Sequence, residues 1–209
     1  MIPVTVLSVQ YLASASPELC KALGAPKGFP CLGLITTDCD DATYIALDAA
    51  TKAADVQVAF GSSFYAGAAN ASTPNAGEVL GILAAATPGA VRSGMEAALS
   101  ELQRVGFEKV GEVPYLAYTV SSCGSYLAKE AGVREGSALA YLIAPPLESM
   151  FAMDGALKAA DVKLCKLYSP PSPTNFGGGL LTGTQSACSA ACAAFADGVA
   201  QVAGHPKNF

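Results

Sequence analysis

Nine consecutive residues of this chain return later in it with two substitutions: Asp48-Ala-Ala-Thr-Lys-Ala-Ala-Asp-Val56 recurs 106 positions on as Asp154-Gly-Ala-Leu-Lys-Ala-Ala-Asp-Val162. An internal repeat of this length constrains the fold more than any other feature. Each half, of about 100 residues, falls in the usual domain size range and can carry its own core. The expected domains are 1–108 and 109–209.

The hydrophobic pattern within each half is mixed. In the first, Val4–Val9 and Cys31–Thr36 are β-rich runs on either side of a short helical stretch at Pro17–Leu23. Ala42, Ile45, Ala46, Ala49 and Ala53 follow helical spacing, with Asp40 or Asp41 expected as the cap. Val56–Phe60 and Glu78–Leu83 supply two further strands. A second helix opens at Thr87-Pro88 and carries Val91, Met95, Ala98 and Leu102 on its apolar face. The second half runs in the same order, with strands expected at Leu116–Ser121, Ala138–Ile143, Val162–Tyr168 and Gly179–Leu181, and helices at Pro146–Ala160 and Gln185–Val202. Gly81-Ile-Leu-Ala aligns with Gly179-Leu-Leu-Thr at an offset of 98 instead of 106, which shortens the second inter-strand loop by eight residues. The fold class this predicts is α+β, a small antiparallel sheet with helices packed on it, built twice.

Composition limits the partners. Only 14% of the 209 residues are charged, whereas ordinary domains carry about 25%. So little charge covers a monomer surface poorly, and an oligomer is expected. A net charge of -5 with no Lys/Arg cluster lacks the footprint that nucleic acid requires. The seven cysteines are odd in number and include no CxxC, which points to reduced thiols in a cytosolic protein. No basic residue precedes Lys21, and the most apolar run, Val79–Ala86, stops at Thr87-Pro88, so neither export nor a lipid membrane is expected.

Three places could carry chemistry. Asp38-Cys39-Asp40-Asp41 reads as helix capping with a solvated loop, as the polar lining of a small-molecule site, or as a cation site short of oxygen ligands. Cys188 and Cys192 share a helix face with Phe195, and the sole histidine, His205, lies far along the chain, so packing explains them better than zinc. Gly177-Gly178-Gly179 follows Pro170–Phe176 but precedes no Gly-Lys-Ser/Thr, so it is no Walker A loop. With Ser62–Asn75 it forms a pair of long, uncharged loops at equivalent places in the two halves, a pattern that favours function over accident. No nucleophile, base and orienting group can be assembled, and an enzyme is not expected.

The segments Leu32–Asp41, Tyr65–Ala69, Ala76–Val79, Gly124–Leu127, Ala140–Glu148 and Leu181–Gln185 together resemble one family. They are similar to bacterial microcompartment shell proteins of the tandem-domain, trimeric class, nearest the ethanolamine-utilisation type. The resemblance implies two circularly permuted microcompartment domains per chain. It further implies a homotrimer forming a pseudohexameric disc, packed with other shell proteins around an enzyme core in the cytoplasm. It also implies a central pore gated by loops that pass metabolites or bulky cofactors. On matching positions these are Phe64, Tyr65, Gly67, Asn70 and Asn75 in one loop, and Thr174, Asn175, Phe176, Gly177, Gly178 and Gly179 in the other. Asp40, Glu78 and Phe107 would line a small acidic channel suited to an amine. No resident metal or cofactor is implied, although the family carries tendencies toward ethanolamine and cobalamin binding. The alternative from residue chemistry is a small-molecule-binding regulatory protein with an acidic amine site.

Overall fold

A computed structural model describes residues 1–64, 73, 75–170, 172 and 174–207. The chain forms two compact units, one comprising Pro3–Gly106 with Gly124–Leu127, the other Met1–Ile2, Phe107–Cys123 and Ala128–Phe209.

The first unit holds strands β1 (Val6–Leu12), β2 (Cys31–Thr37), β3 (Gln57–Ser63) and β4 (Val79–Ala85), with helices α1 (Pro17–Ala22), α2 (Asp40–Ala53) and α3 (Pro88–Leu102). The strands pair antiparallel in the order β1-β2-β4-β3. Alternation along β2 explains the layering. Cys31, Ile35 and Thr37 are buried on one face; on the other, Leu32 joins Ile82 and Ala84 in a core closed by Cys20, Leu23 and Phe29. α3 starts where Thr87 accepts the Ala90 amide and Pro88 fills the first helical position.

The second unit repeats this plan. It adds a short strand β5 (Glu108–Val110), then β6 (Val113–Val120), β7 (Ala138–Ala144), α5 (Pro146–Ala159), β8 (Val162–Tyr168), β9 (Gly177–Gly183) and α6 (Gln185–Gly204), in sheet order β5-β6-β7-β9-β8. Helix α4 (Ser125–Ala131) is divided between the units. The equivalence extends to irregularities. β3 bulges between Val58 and Phe60, and β8 bulges at the matching place in the repeat, between Leu164 and Lys166. Gly24 and Gly28 adopt left-handed backbone after α1, as Gly132 and Gly136 do after α4. The core of this unit gathers Leu142, Ala144, Leu181, Ala152, Ala156, Ala191 and Phe195. Among the described residues, α6 is the one helix long and apolar enough to cross a membrane, but Cys188, Cys192, Phe195 and Val199 form a buried stripe packed in that core.

Four expectations needed correction. β1 overlaps the expected Val4–Val9 but is shifted two to three residues along the chain, to Val6–Leu12. Neither Asp40 nor Asp41 caps α2: the cap position is Cys39, without a side-chain cap bond, and both acids lie in the first turn. Helix α4 and strand β5 carried too few periodic residues to be foreseen. β9 begins at Gly177, so Gly177, Gly178 and Gly179 are buried strand residues instead of loop residues. All seven cysteines are free, four of them buried and Cys20, Cys39 and Cys165 half-buried.

Candidate functional site

The acidic cluster is built where β2 hands over to α2. Thr37, the last residue of β2, accepts the Cys39 amide on its hydroxyl (3.0 Å), and that hydroxyl also meets the Thr43 hydroxyl (2.7 Å). Thr43 in turn donates to the Cys39 carbonyl (2.8 Å). This small buried network fixes the first turn of α2, so Asp40 accepts the Asp41 amide (2.9 Å) and lies one helical turn from Tyr44. Ser63, at the end of β3, lies beside both Asp40 and Tyr44.

Glu78 is set beside this turn by backbone. Its amide donates to the Thr37 carbonyl (2.9 Å), and its own carbonyl accepts the Phe64 amide (2.9 Å). Gly77 permits the crossing, because a Cβ there would collide with the Thr37 carbonyl and the Thr36 hydroxyl.

Burial sets the electrostatics. Asp40 is held above the usual carboxylate range by desolvation, against the bonds from the Asp41 amide and Ser63. Glu78 is raised by desolvation and then by the charges of Asp40 and Asp38. The Tyr44 hydroxyl is pushed up to about 12, first by burial and then by Asp40 and Asp41. The Cys39 thiol is raised by burial and by Asp41, so it is an inert thiol instead of a nucleophile. Among the described residues no ammonium or guanidinium forms an ion pair with Asp40 or Glu78, and no three metal-ligating side chains converge.

Raised carboxylates bind protons more tightly in the folded chain than in the unfolded one. Stability therefore falls as pH climbs from the ordinary carboxylate range through their raised values, and at neutral pH both charges oppose folding. Glu78→Gln is accordingly expected to melt above the wild type at pH 7, with the difference closing near pH 4. Thermal melting across that range checks it, and a variant that melts lower at pH 7 refutes the assignment.

Phe107 belongs to the second unit, where its ring meets Phe176 edge-on at 5.5 Å and its carbonyl accepts the Ile2 amide. Two residues that sequence places in separate sites thus touch each other. Asn175 holds a left-handed conformation (φ 61°) in a turn closed by its amide on the Ser172 carbonyl (3.2 Å) and by the Ser172 hydroxyl on the Phe176 carbonyl (2.7 Å). Thr174 lies in the same turn. In the other loop Phe64 is exposed, and Asn75 turns back so that its amide donates to the Thr73 hydroxyl (3.2 Å). Tyr65, Gly67 and Asn70 lie outside the described residues, as do Pro171 and Pro173. Sequence reasoning missed Tyr44 and Ser63. The four-residue spacing from Asp40 to Tyr44 was the available signal.

A β-α-β-α-β-β-α plan repeated in one chain, with acids at the start of its second helix, defines a class. Residues 31–113 match the BMC domain. Over its full length the chain is 56% identical to the bacterial microcompartment shell protein EutL of Clostridium perfringens (strain 13 / Type A), covering 100% of this chain and 98% of that one. It is 43% identical to EutL of Escherichia coli (strain K12), covering 99% and 96%. The crystal structure of the ethanolamine utilization protein EutL from Leptotrichia buccalis C-1013-b superposes with a TM-score of 0.95 at 52% identity, covering 100% and 98%. The chain belongs to the EutL family of bacterial microcompartment shell proteins. Members of that family are structural components of the shell, not enzymes, and their place is the microcompartment shell in the cytoplasm.

Proposed function

We propose that three copies of this chain, each contributing domains 1–108 and 109–209, assemble into a pseudohexameric disc that tiles with other shell proteins. In this disc the segments 64–75 and 171–176 border a central pore that passes metabolites or a bulky cofactor such as cobalamin as cargo. The Asp40–Glu78 site serves a small organic ammonium ion, with ethanolamine as the first candidate because the solved relative is named for its utilization. One observation carries the ligand reading: two carboxyl groups, the buried Asp40 and the half-buried Glu78, lie close enough that the charge of Asp40 raises Glu78, in a site where no described side chain forms an ion pair with them. An ammonium ion supplies the missing charge and hydrogen-bond donors.

Calorimetric titration with ethanolamine hydrochloride tests it. The wild type is expected to bind, and Asp40→Asn and Glu78→Gln are each expected to weaken binding by about tenfold or more, the effect of losing one charge-assisted bond. Ethylene glycol, which lacks the charge, is expected not to bind. Binding should weaken as pH falls through the raised carboxyl range, earlier than for ordinary carboxylates. Equal affinity in all three proteins removes the ammonium site. Light scattering tests the assembly, with three times the single-chain mass of 21.0 kDa expected. A monomer that still binds the amine favours the regulatory-protein alternative.

A further inference from the structure

The repeat provides an internal template for a contact that the single chain leaves unmade. Helices α2 and α5 are equivalent residue by residue at an offset of 106, and their buried polar positions Thr43 and Ser149 correspond. One face differs. Asp41 (7% exposed) and Ile45 (2%) are covered in α2, whereas the corresponding Leu147 (64%) and Phe151 (45%) are open in α5. An apolar pair on a surface helix costs free energy when left in water, and it is the larger pair that is open.

In the first unit Gly124–Leu127 packs on the adjoining stripe of α2, at Tyr44, Asp48 and Thr51. Its Ser125 amide donates to the Thr51 hydroxyl (3.1 Å), the Tyr126 ring lies 6.1 Å from Tyr44, and Leu127 is 1% exposed. The matching glycines after α1 and α4 fix the counterpart of this segment at an offset of 108, as Ser16–Leu19, where Leu19 is 41% exposed.

The chemistry on the two sides changes together. Ser125 corresponds to Pro17, which has no amide hydrogen, and Thr51 corresponds to Leu157, which has no acceptor. A donor–acceptor pair in the template is therefore an apolar pair at the equivalent place. Ser16, which corresponds to Gly124, accepts the Leu19 amide on its own hydroxyl (3.3 Å), so the counterpart of the Leu127 amide needs no outside acceptor. Asp154 pairs with Lys158 (2.6 Å). Each side brings one acid and one base to the rim, Glu18 and Lys21 on the segment and Asp154 and Lys158 on α5, so the contact is charge-balanced.

We infer that the open face of α5, Leu147 and Phe151 with the half-buried Leu157 at its edge, is covered by Pro17 and Leu19 of a second copy of this chain, and that this contact closes the ring of three. It rests on the trimer proposed above and names where that trimer is held. Only another copy presents the segment that the template calls for.

The test is light scattering of the full chain together with its Leu19→Asp and Phe151→Asp variants. Both substituted side chains are exposed in the single chain, so each variant is expected to retain its far-UV circular dichroism. The wild type is expected at three times the 21.0 kDa of one chain, and each variant at that single-chain mass. A Pro17→Cys/Leu157→Cys double variant is expected to give disulfide-linked oligomers on a non-reducing gel, and neither single variant is expected to do so. A trimeric wild type with variants of the same mass and no cross-link overturns this contact and leaves the trimer standing. A monomeric wild type overturns both.

Discussion

Asp48→Ala is expected to lower the melting temperature by roughly 10 °C or more, the largest loss for any charged residue in the chain. The carboxylate is fully buried and accepts two backbone amides, Gly124 at 2.7 Å on Oδ2 and Leu127 at 2.8 Å on Oδ1, with the Lys52 ammonium 3.5 Å from Oδ2. It thus does for the start of α4 what a capping side chain does from within a helix, a task that Gly124 at that position cannot perform for itself. Removing it leaves two buried amides without an acceptor, at about 1–3 kcal/mol each. The sum is a few kcal/mol, and each kcal/mol shifts the midpoint by about 2–4 °C in a chain of this size. Asp48→Asn keeps one acceptor oxygen and is expected to lose about half as much. Asp154 gives the comparison. It occupies the equivalent position but among the described residues pairs with Lys158, and both side chains are mostly exposed, so Asp154→Ala is expected to change the stability of the single chain by less than about 0.5 kcal/mol. Differential scanning calorimetry of the three variants checks the prediction, and equal shifts for Asp48→Ala and Asp154→Ala would show that burial is not what separates them.

The repeat made most of the fold legible, because apolar periodicity and its echo specify the same strands and helices twice. What it could not reveal was asymmetry. The motif that exposed the repeat contains both Asp48 and Asp154, identical in sequence, and nothing local distinguishes a carboxylate buried against two amides from one on the surface. That difference is set by Gly124–Leu127, 76 residues away from Asp48 at its nearest bond. Helix α4, besides being too short to show periodicity, has its start stabilised by a distant side chain instead of a capping residue of its own. At the acidic site, Asp40 and Glu78 were legible as acids, but their company was not. Ser63 reaches Asp40 because β3 and β4 pair antiparallel and end beside the first turn of α2, a consequence of register that no spacing in the sequence encodes. Phe107 and Phe176 meet for a similar reason, through tertiary packing between residues far apart in the chain.

Gly178→Ala is expected to cost about 4 kcal/mol or more, enough to threaten folding of the second unit. Composition suggests the opposite, because three consecutive glycines after a proline-rich stretch read as a flexible loop in which alanine would merely stiffen a hinge. In the structure they open β9, which lies between β7 and β8, and Gly178 pairs with Ile143 on one side and Tyr168 on the other. Its φ of 149° lies where side chains are rarely accommodated, and a Cβ would overlap the Leu142 carbonyl and the Ile143 Cα. Both obstacles are backbone of a fully paired neighbouring strand, so relief requires separating β7 from β9 and losing ladder bonds at the centre of the sheet. Gly155→Ala provides the control. It lies within α5 with only the Ala194 carbonyl at 3.9 Å, it corresponds to Ala49 in the first half, and it is expected to gain up to about 1 kcal/mol from helix propensity. Urea denaturation of the two variants separates the cases: a destabilised Gly178→Ala beside a stabilised Gly155→Ala identifies close backbone approach as the reason for the glycine, whereas a Gly178→Ala protein with an unchanged midpoint returns residue 178 to the loop that its sequence suggests.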